Sequence, residues 1–271
     1  MVAASLLAVV LLAPPTSAPP TAAPPPDAAP QQPNSQQADP AEGAADGKPK
    51  WRSLFDGKTL TGWDVTAFGG EGEVAVEDGA ILLPFGNNLT GVTVTKEVAK
   101  TLPTADYVLE LEAKRVSGTD FFCGLTVPMW SPAEKKPSHA SLILGGWGGG
   151  LVGLSSIDRF DASENETTTY HAFENDQWYR VRLEVTKAGV RALLDGEQLF
   201  AADIRDRIVS TRSEVNLSKP LGVSTYVTTG AIRGVRIRPL TEAEVKAVNK
   251  ACEPFDATGG EPPVNEFGEK N

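Results

Sequence analysis

From Tyr107 onward the chain reads as one short strand after another. Tyr107, Leu109, Leu111 and Ala113 alternate with Val108, Glu110, Glu112 and Lys114, which sets an apolar face against a mostly charged one. Tyr179, Val181, Leu183 and Val185 repeat the pattern against Trp178, Arg180, Arg182 and Glu184. Val190, Ala192 and Leu194 follow a Lys187-Ala188-Gly189 turn. Asp195-Gly196 then marks a tight hairpin, because both central residues of a type I′ turn need positive φ. Asp78-Gly79 marks a second hairpin, between Val74–Val76 and Ile81–Leu83. In Ile232–Arg238 the apolar phase slips at Gly234, which predicts a bulge. Short strands of period two, separated by Gly and Asp turns from Trp51 to Leu240, predict an all-β sandwich of two antiparallel sheets. One segment reads as helix. Thr241-Glu242-Ala243-Glu244 is a capping box with Val245 and Val248 at helical spacing, so a short C-terminal helix is expected to about Ala251, packed outside the sandwich.

The first fifty residues have a different character. Eleven of the 21 prolines precede Trp51, and all 19 aromatic residues lie from Trp51 onward. A stretch rich in Pro, Ala and Gln without aromatics cannot repay the entropy of ordering, so residues 19–50 are expected to form a disordered linker. Ahead of it, Val2–Ala13 has the length of a signal-peptide apolar core and Thr16-Ser17-Ala18 offers small residues for cleavage, although no Lys or Arg precedes the run. Residues 1–18 are therefore read as a signal peptide of an exported protein. The domain itself is expected over 51–240, with the helix and a loosely held tail over 241–271.

Composition narrows the function. The 271 residues are 41% hydrophobic, enough for a substantial core, and carry a net charge of −10 with no basic cluster. That balance argues against nucleic acid and anionic membrane surfaces as partners. Two Cys and two His exclude a structural Cys/His zinc site, and no apolar run reaches the roughly 20 residues that span a bilayer. No Ser–His–Asp constellation, P-loop, dinucleotide fingerprint or zincin motif is present.

Softer signals lie in the middle of the chain. In Gly145–Gly150, Trp147 stands among glycines. Either a glycine-rich hairpin caps the core with its Trp, or Trp147 stacks on a sugar ring that Gly146 and Gly148 let approach the backbone. Asp158, Asp161, Glu164, Asn165 and Glu166 crowd one loop, which is either a solvated charge run, a Ca²⁺ site or the source of a carboxylate base. His139 and His171 are the only side chains with an ordinary pKa near neutrality, and both sit among apolar strand residues. Cys123 follows Phe121-Phe122 in an apolar strand, as a buried thiol or as half of a disulfide with Cys252. Arg180, Arg182, Arg236 and Arg238 share strand faces with Glu110, Glu112 and Glu184, which predicts cross-strand pairing on a wet face.

Ser53-Leu54-Phe55-Asp56-Gly57-Lys58-Thr59-Leu60-Thr61-Gly62-Trp63 resembles the opening signature of the 3-keto-disaccharide hydrolase domain family, also described as a 3-keto-glucoside lyase/hydratase domain. The resemblance continues through Val76-Glu77-Asp78-Gly79, Trp178-Tyr179-Arg180-Val181, Asp195-Gly196-Glu197 and Ile232-Arg233-Gly234-Val235-Arg236-Ile237. It implies a concanavalin-like jelly roll. It also implies a reaction in which a sugar ketone at C3 acidifies the C2 hydrogen, a positioned base removes that proton, and a donor or divalent metal ion stabilises the enolate. The glycosidic oxygen then leaves C1 and water adds back. Where many members carry an Asn-Ser-Gly strand and a later Glu-x-Gln strand, this chain reads Asp120-Phe121-Phe122-Cys123-Gly124 and then Ser141–Gly150.

The segments 129–140 and 156–169 are too long for minimal hairpins and are expected to form the rim of a cleft. Asp120, His139, Trp147, Asp158 and Glu164 are expected to converge there on a saccharide or 3-keto-glycoside, with His139 or an acidic-loop carboxylate as base. The other class that this architecture hosts is a non-catalytic glycan-binding sandwich, which needs Trp147-type stacking and no base.

Overall fold

In the computed structural model of the chain the described residues are 49–254. The segments read above as signal peptide, linker (as far as residue 48) and C-terminal tail (from residue 255) lie outside them. Among the described residues no helix is long and apolar enough to cross a membrane.

Two antiparallel sheets face each other, as the period-two pattern predicts. The first runs, edge to edge, β13 (Glu197–Asp203), β12 (Gly189–Leu194), β11 (Trp178–Val185), β6 (Tyr107–Gly118), β15 (Thr228–Pro239), β4 (Ala80–Leu83) and β3 (Ala75–Glu77). The short β1 (Arg52–Ser53) also pairs with β15. The second sheet runs β10 (Thr169–Tyr170), β9 (Leu151–Ser155), β8 (Lys136–Gly145), β7 (Cys123–Ser131), β14 (Gly222–Tyr226), β5 (Leu89–Val94) and β2 (Trp63–Val65). Tyr107, Leu109 and Leu111 from the first sheet and Leu125, Val127, Leu142 and Leu144 from the second belong to one buried core. The Tyr107 hydroxyl donates to the Pro128 carbonyl at 2.7 Å, tying β6 to β7 across the interior.

The turn signals are realised as read. Asp195 and Gly196 take φ of 51° and 94°, Asp78 and Gly79 take 48° and 79°, and the register of β15 against β6 shifts between Arg233 and Arg236, around Gly234. The family-like opening motif is a structural staple. Leu54 and Phe55 are buried, and the Trp63 indole donates to the Leu54 carbonyl at 2.7 Å. The Asp56 carboxylate accepts the amides of Thr59 and Lys58, which hold it below the ordinary carboxylate range.

Two expectations are corrected, and of the two readings of the cysteines the buried thiol is the one found. The charged face of the first sheet is not simply wet, since the Glu184 side chain is only 3% exposed. Long arginine stems lie flat over shorter glutamates there. Glu110 accepts from Arg182 and Arg236, Glu184 from Arg182 and Arg191, and Trp178 and Trp51 rest on Arg233 and Arg236 at 4.2 and 4.6 Å. Arg238 also lies over Trp51, at 4.9 Å, and pairs with Glu244, while Arg180 is exposed. Next, Cys123 and Cys252 are free thiols. Cys123 faces the interior between the sheets, whereas Cys252 packs on the outer side of the first sheet with Val108, so that sheet separates them. Burial pushes the two thiols up to about 12 and about 11. Finally, 129–140 is no rim loop. It is a hairpin of β7 and β8 with Pro128 opposite His139 and Ser131 opposite Lys136.

The C-terminal helix, Glu242–Ala251, starts with the expected capping box, the Thr241 amide donating to Glu244 at 2.9 Å and the Glu244 amide to Thr241 Oγ1 at 3.2 Å. Arg238, buried beneath, donates to both Glu244 oxygens at 2.9 and 2.7 Å and lowers that carboxyl from 4.5 to about 2. A group whose folded pKa is depressed stabilises the fold above its unfolded pKa and loses that contribution as pH falls toward the folded value. Glu244→Gln is therefore expected to cost about 2 kcal/mol at pH 7. In urea melts the gap to the parent should close between pH 4.5 and about 2; a gap independent of pH would refute the assignment.

Candidate functional site

The alternation that sends Leu142 and Leu144 inward sends Ser141 and Ile143 to the outer face of the second sheet. On that face a cavity of about 540 Å³ opens. Its floor is Ser141, Ser155 and Ile143, with Ser141 directly opposite Ser155 across β8 and β9. The Ser141 hydroxyl shares a 2.8 Å hydrogen bond with Thr126, also buried.

One wall comes from the turn between β6 and β7 and from the ends of β5 and β14. It presents Asp120, Phe121, Asn88, Leu89 and Tyr226. The Asp120 amide donates to Thr228 Oγ1 at 3.0 Å, and its own Oδ1 accepts the Phe121 amide at 2.8 Å, so the carboxylate is oriented by its turn. Among the described residues no cation pairs with it. The Phe121 and Tyr226 rings stack with centroids 5.8 Å apart, and Tyr226 remains 37% exposed.

Trp147 enters from the glycine turn between β8 and β9. The turn needs its glycines: Gly145, Gly148 and Gly149 take φ of 79°, 93° and 102°. Arg115 holds it from beneath, donating to the Gly149 carbonyl at 3.1 Å, to the Phe173 carbonyl and to Asn175 at 2.8 Å. Of the two readings of this turn, the hairpin is present, but its Trp does not cover the core. Trp147 lines the cavity and is 48% exposed. A Cβ on Gly146 would lie 3.9 Å from Asp120 Oδ1, so the turn and the carboxylate are neighbours.

The opposite wall joins two segments. The acidic loop after β9 packs directly on the sheet, since a Cβ on Gly153 would lie 2.5 Å from the Ala162 carbonyl oxygen. This contact brings Asp161 to the cavity. The crossing from β13 to β14, residues 204–221, pairs with the loop through Ser156–Ser210 and Asp158–Ile208 backbone bonds and then presents Arg212, Glu214 and Val215. Arg212 donates to Asp161, and at 2.8 Å to Glu214. Arg212, and the amide of Glu214 itself, hold the Glu214 carboxyl down at about 2.

Of the residues singled out from sequence, Asp120 and Trp147 line the cavity and Gly146 adjoins it. Gly148 carries the exposed side of the same turn. Asp158 does not line it, because Arg207 and the Ile208 amide bind its carboxylate at the far end of the loop. Glu164 is exposed and outside the lining. His139 is on the same face as Ser141, one step further along β8 and outside the lining. Burial, and then the charge of Lys219, lower its imidazole to about 4. His171 packs against Phe173 and Tyr179. Of the acidic-loop carboxylates it is Asp161 that lines the cavity; Arg212, Glu214, Ser141, Ser155 and Tyr226 were missed as site residues, though the serines at least were findable, as polar positions on the outward phase of apolar strands. Among the described residues no three His, Cys, Asp or Glu side chains come together as a metal-binding group, the acidic-loop carboxylates Asp158, Asp161 and Glu166 being bound by Arg207 and Arg212.

A family model for a 3-keto-alpha-glucoside-1,2-lyase-like domain matches residues 50–238. None of the curated proteins matches the chain. Among solved structures it is similar to a putative glycosyl hydrolase from Parabacteroides distasonis ATCC 8503, with 16% identity, a TM-score of 0.43, and coverage of 70% of this chain and 94% of that one. It is also similar to domain 4 of an extracellular arabinanase from Geobacillus stearothermophilus in complex with arabinotriose, with 17% identity, a TM-score of 0.42 and coverage of 70% and 88%. A third is the carbohydrate-binding module CBM66 from Bacillus subtilis, with 12% identity, a TM-score of 0.38 and coverage of 64% and 93%.

Proposed function

Because the chain belongs to the 3-keto-alpha-glucoside-1,2-lyase-like domain family, we propose that it cleaves 3-keto-glycosides in the cavity described above, with Asp120 as the base. The observation that carries this reading is one carboxylate without a cationic partner among the described residues, in a sugar-sized cavity that also holds Trp147 and Tyr226. The sugar stacks on these rings, and Asp120 takes the C2 proton that the C3 ketone has acidified. The electron pair moves onto the ketone oxygen, for which the lining offers neutral donors in the Asn88 amide, the Ser141, Ser155 and Tyr226 hydroxyls and the Trp147 indole N–H. The enolate then re-forms the ketone, a C1–C2 double bond appears, and the aglycone leaves C1 with a proton returned from Asp120. Addition of water, hydroxyl to C1 and proton to C2, completes a net hydrolysis. One base and neutral donors suffice, which fits the absence of any nucleophile motif.

One observation favours the other class. Asp161 and Glu214 are both bound to Arg212, which leaves little acid–base machinery and would suit a glycan-binding module. Aglycone release from a nitrophenyl 3-keto-glucoside, measured against the matching glucoside without the ketone, separates the two. Release from the keto compound alone is expected; binding of both without release from either would establish the module.

A further inference from the structure

Among the described residues Arg212 is the single cation on the cavity lining, against three carboxylates, so this lining carries two net negative charges. Each of its side-chain nitrogens already has a carboxylate. Nη1 donates to Asp161, while Nη2 and Nε donate to Glu214 at 2.8 and 3.4 Å. Asp161 is itself fixed, one oxygen accepting the Ala162 amide at 2.6 Å. The two carboxylates reach Arg212 from different segments, one from the acidic loop and one from the crossing to β14. The third carboxylate, Asp120, lines the same cavity next to the glycine turn that carries Trp147. Floor and remaining walls are hydroxyl, amide or apolar. An incoming anion therefore meets two net negative charges and an arginine whose every nitrogen already faces a carboxylate, whereas a neutral sugar keeps its hydroxyl contacts and an ammonium group gains Asp120 and the aromatic faces.

We propose that Asp161 and Glu214 mask Arg212 and so set the specificity of the cavity, which accepts uncharged or ammonium-bearing glycosides and rejects those that carry a carboxylate. The proposal rests on the glycoside reading above and adds the residues that choose among glycosides. A specificity built this way contains its own switch: with one mask removed, the planar fork of an arginine becomes available to a sugar carboxylate in bidentate geometry.

Calorimetric titration at pH 7 with methyl α-glucoside, methyl α-glucosaminide and methyl α-glucuronide tests it, since none of these carries the ketone and binding is read without turnover. The glucuronide is expected to bind the parent protein at least about tenfold more weakly than the other two. Glu214→Gln is expected to close that gap by about tenfold. Asp161→Asn, which frees the other side of the guanidinium, is expected to act in the same direction and serves if Glu214→Gln does not fold. A glucuronide that binds the parent as tightly as the glucoside, or a gap unchanged in a folded variant, overturns the masking and leaves the glycoside reading intact. Failure of all three compounds to bind overturns the proposed preference for uncharged and ammonium-bearing glycosides, while the glycoside reading stands or falls with release from the keto compound.

Discussion

Asp120→Asn is expected to lower the rate of aglycone release from a 3-keto-glucoside by about 10²- to 10⁴-fold, the scale of a lost general base. The substitution keeps the shape of the side chain and an oxygen to accept the Phe121 amide, which lies 2.8 Å from Oδ1, so the turn between β6 and β7 should hold its form. What disappears is the basic carboxylate that takes the C2 proton, since an amide oxygen is far too weak a base. Because the rings of Trp147, Phe121 and Tyr226 remain, KM should change little while kcat falls. An Asn variant with parental turnover would show that the proton goes elsewhere, and Asp161 would be the next carboxylate on the lining to replace.

The second large effect is expected at Arg115, which touches no substrate. Its guanidinium is buried at the end of the sandwich and holds two backbone carbonyls and one side-chain amide of the segments around the glycine turn. In Arg115→Met the stem is replaced by similar volume and every donor is lost, leaving the carbonyls of Gly149 and Phe173 without their partner in a buried place. The cost is expected to be about 3 kcal/mol, a fall in Tm on the order of 10 °C. Glycoside binding should weaken along with stability, since Trp147 hangs from the turn that Arg115 secures. Arg115→Lys keeps one charged donor and should recover part of both. A thermal melt of Arg115→Met within about 2 °C of the parent would show that water substitutes for the guanidinium.

The sandwich was legible because each strand pairs locally and buries alternate residues. Period two in Tyr107–Ala113 and Tyr179–Val185 states which residues face the core without knowledge of their partners. The Asp-Gly turns and the Thr241 capping box are equally local, since φ and cap hydrogen bonds are decided within four residues. The cavity is a different kind of object. Asp120 and Trp147 could be noticed because each is chemically odd in its own neighbourhood. Which carboxylate of the acidic loop faces the cavity is decided by the close approach of Ala162 to Gly153, a contact between residues that sequence spacing does not connect. Arg212 and Glu214 lie in 204–221, which has neither a period nor a motif, and acquire their role from the pairing of Ser210 with Ser156. His139 shows the converse. Its imidazole looked suited to catalysis by type alone, and its position one step beyond the lining, with a pKa of about 4, follows from strand register and from burial and Lys219, none of it visible in composition.

The crossing between β13 and β14 makes this architecture easy to retune. It is anchored at one end by the first sheet, at the other by the second, and between them it borders the cavity without being part of either sheet's ladder. Insertions, deletions or recombination within 211–218 would widen, narrow or recharge the cleft while strand register and core stay as they are. For an engineer, that makes eight residues a module for grafting new glycan preferences. For evolution, it offers a route by which one sandwich can pass from one sugar to another through changes confined to a single connection, while Asp120 stays in its own turn.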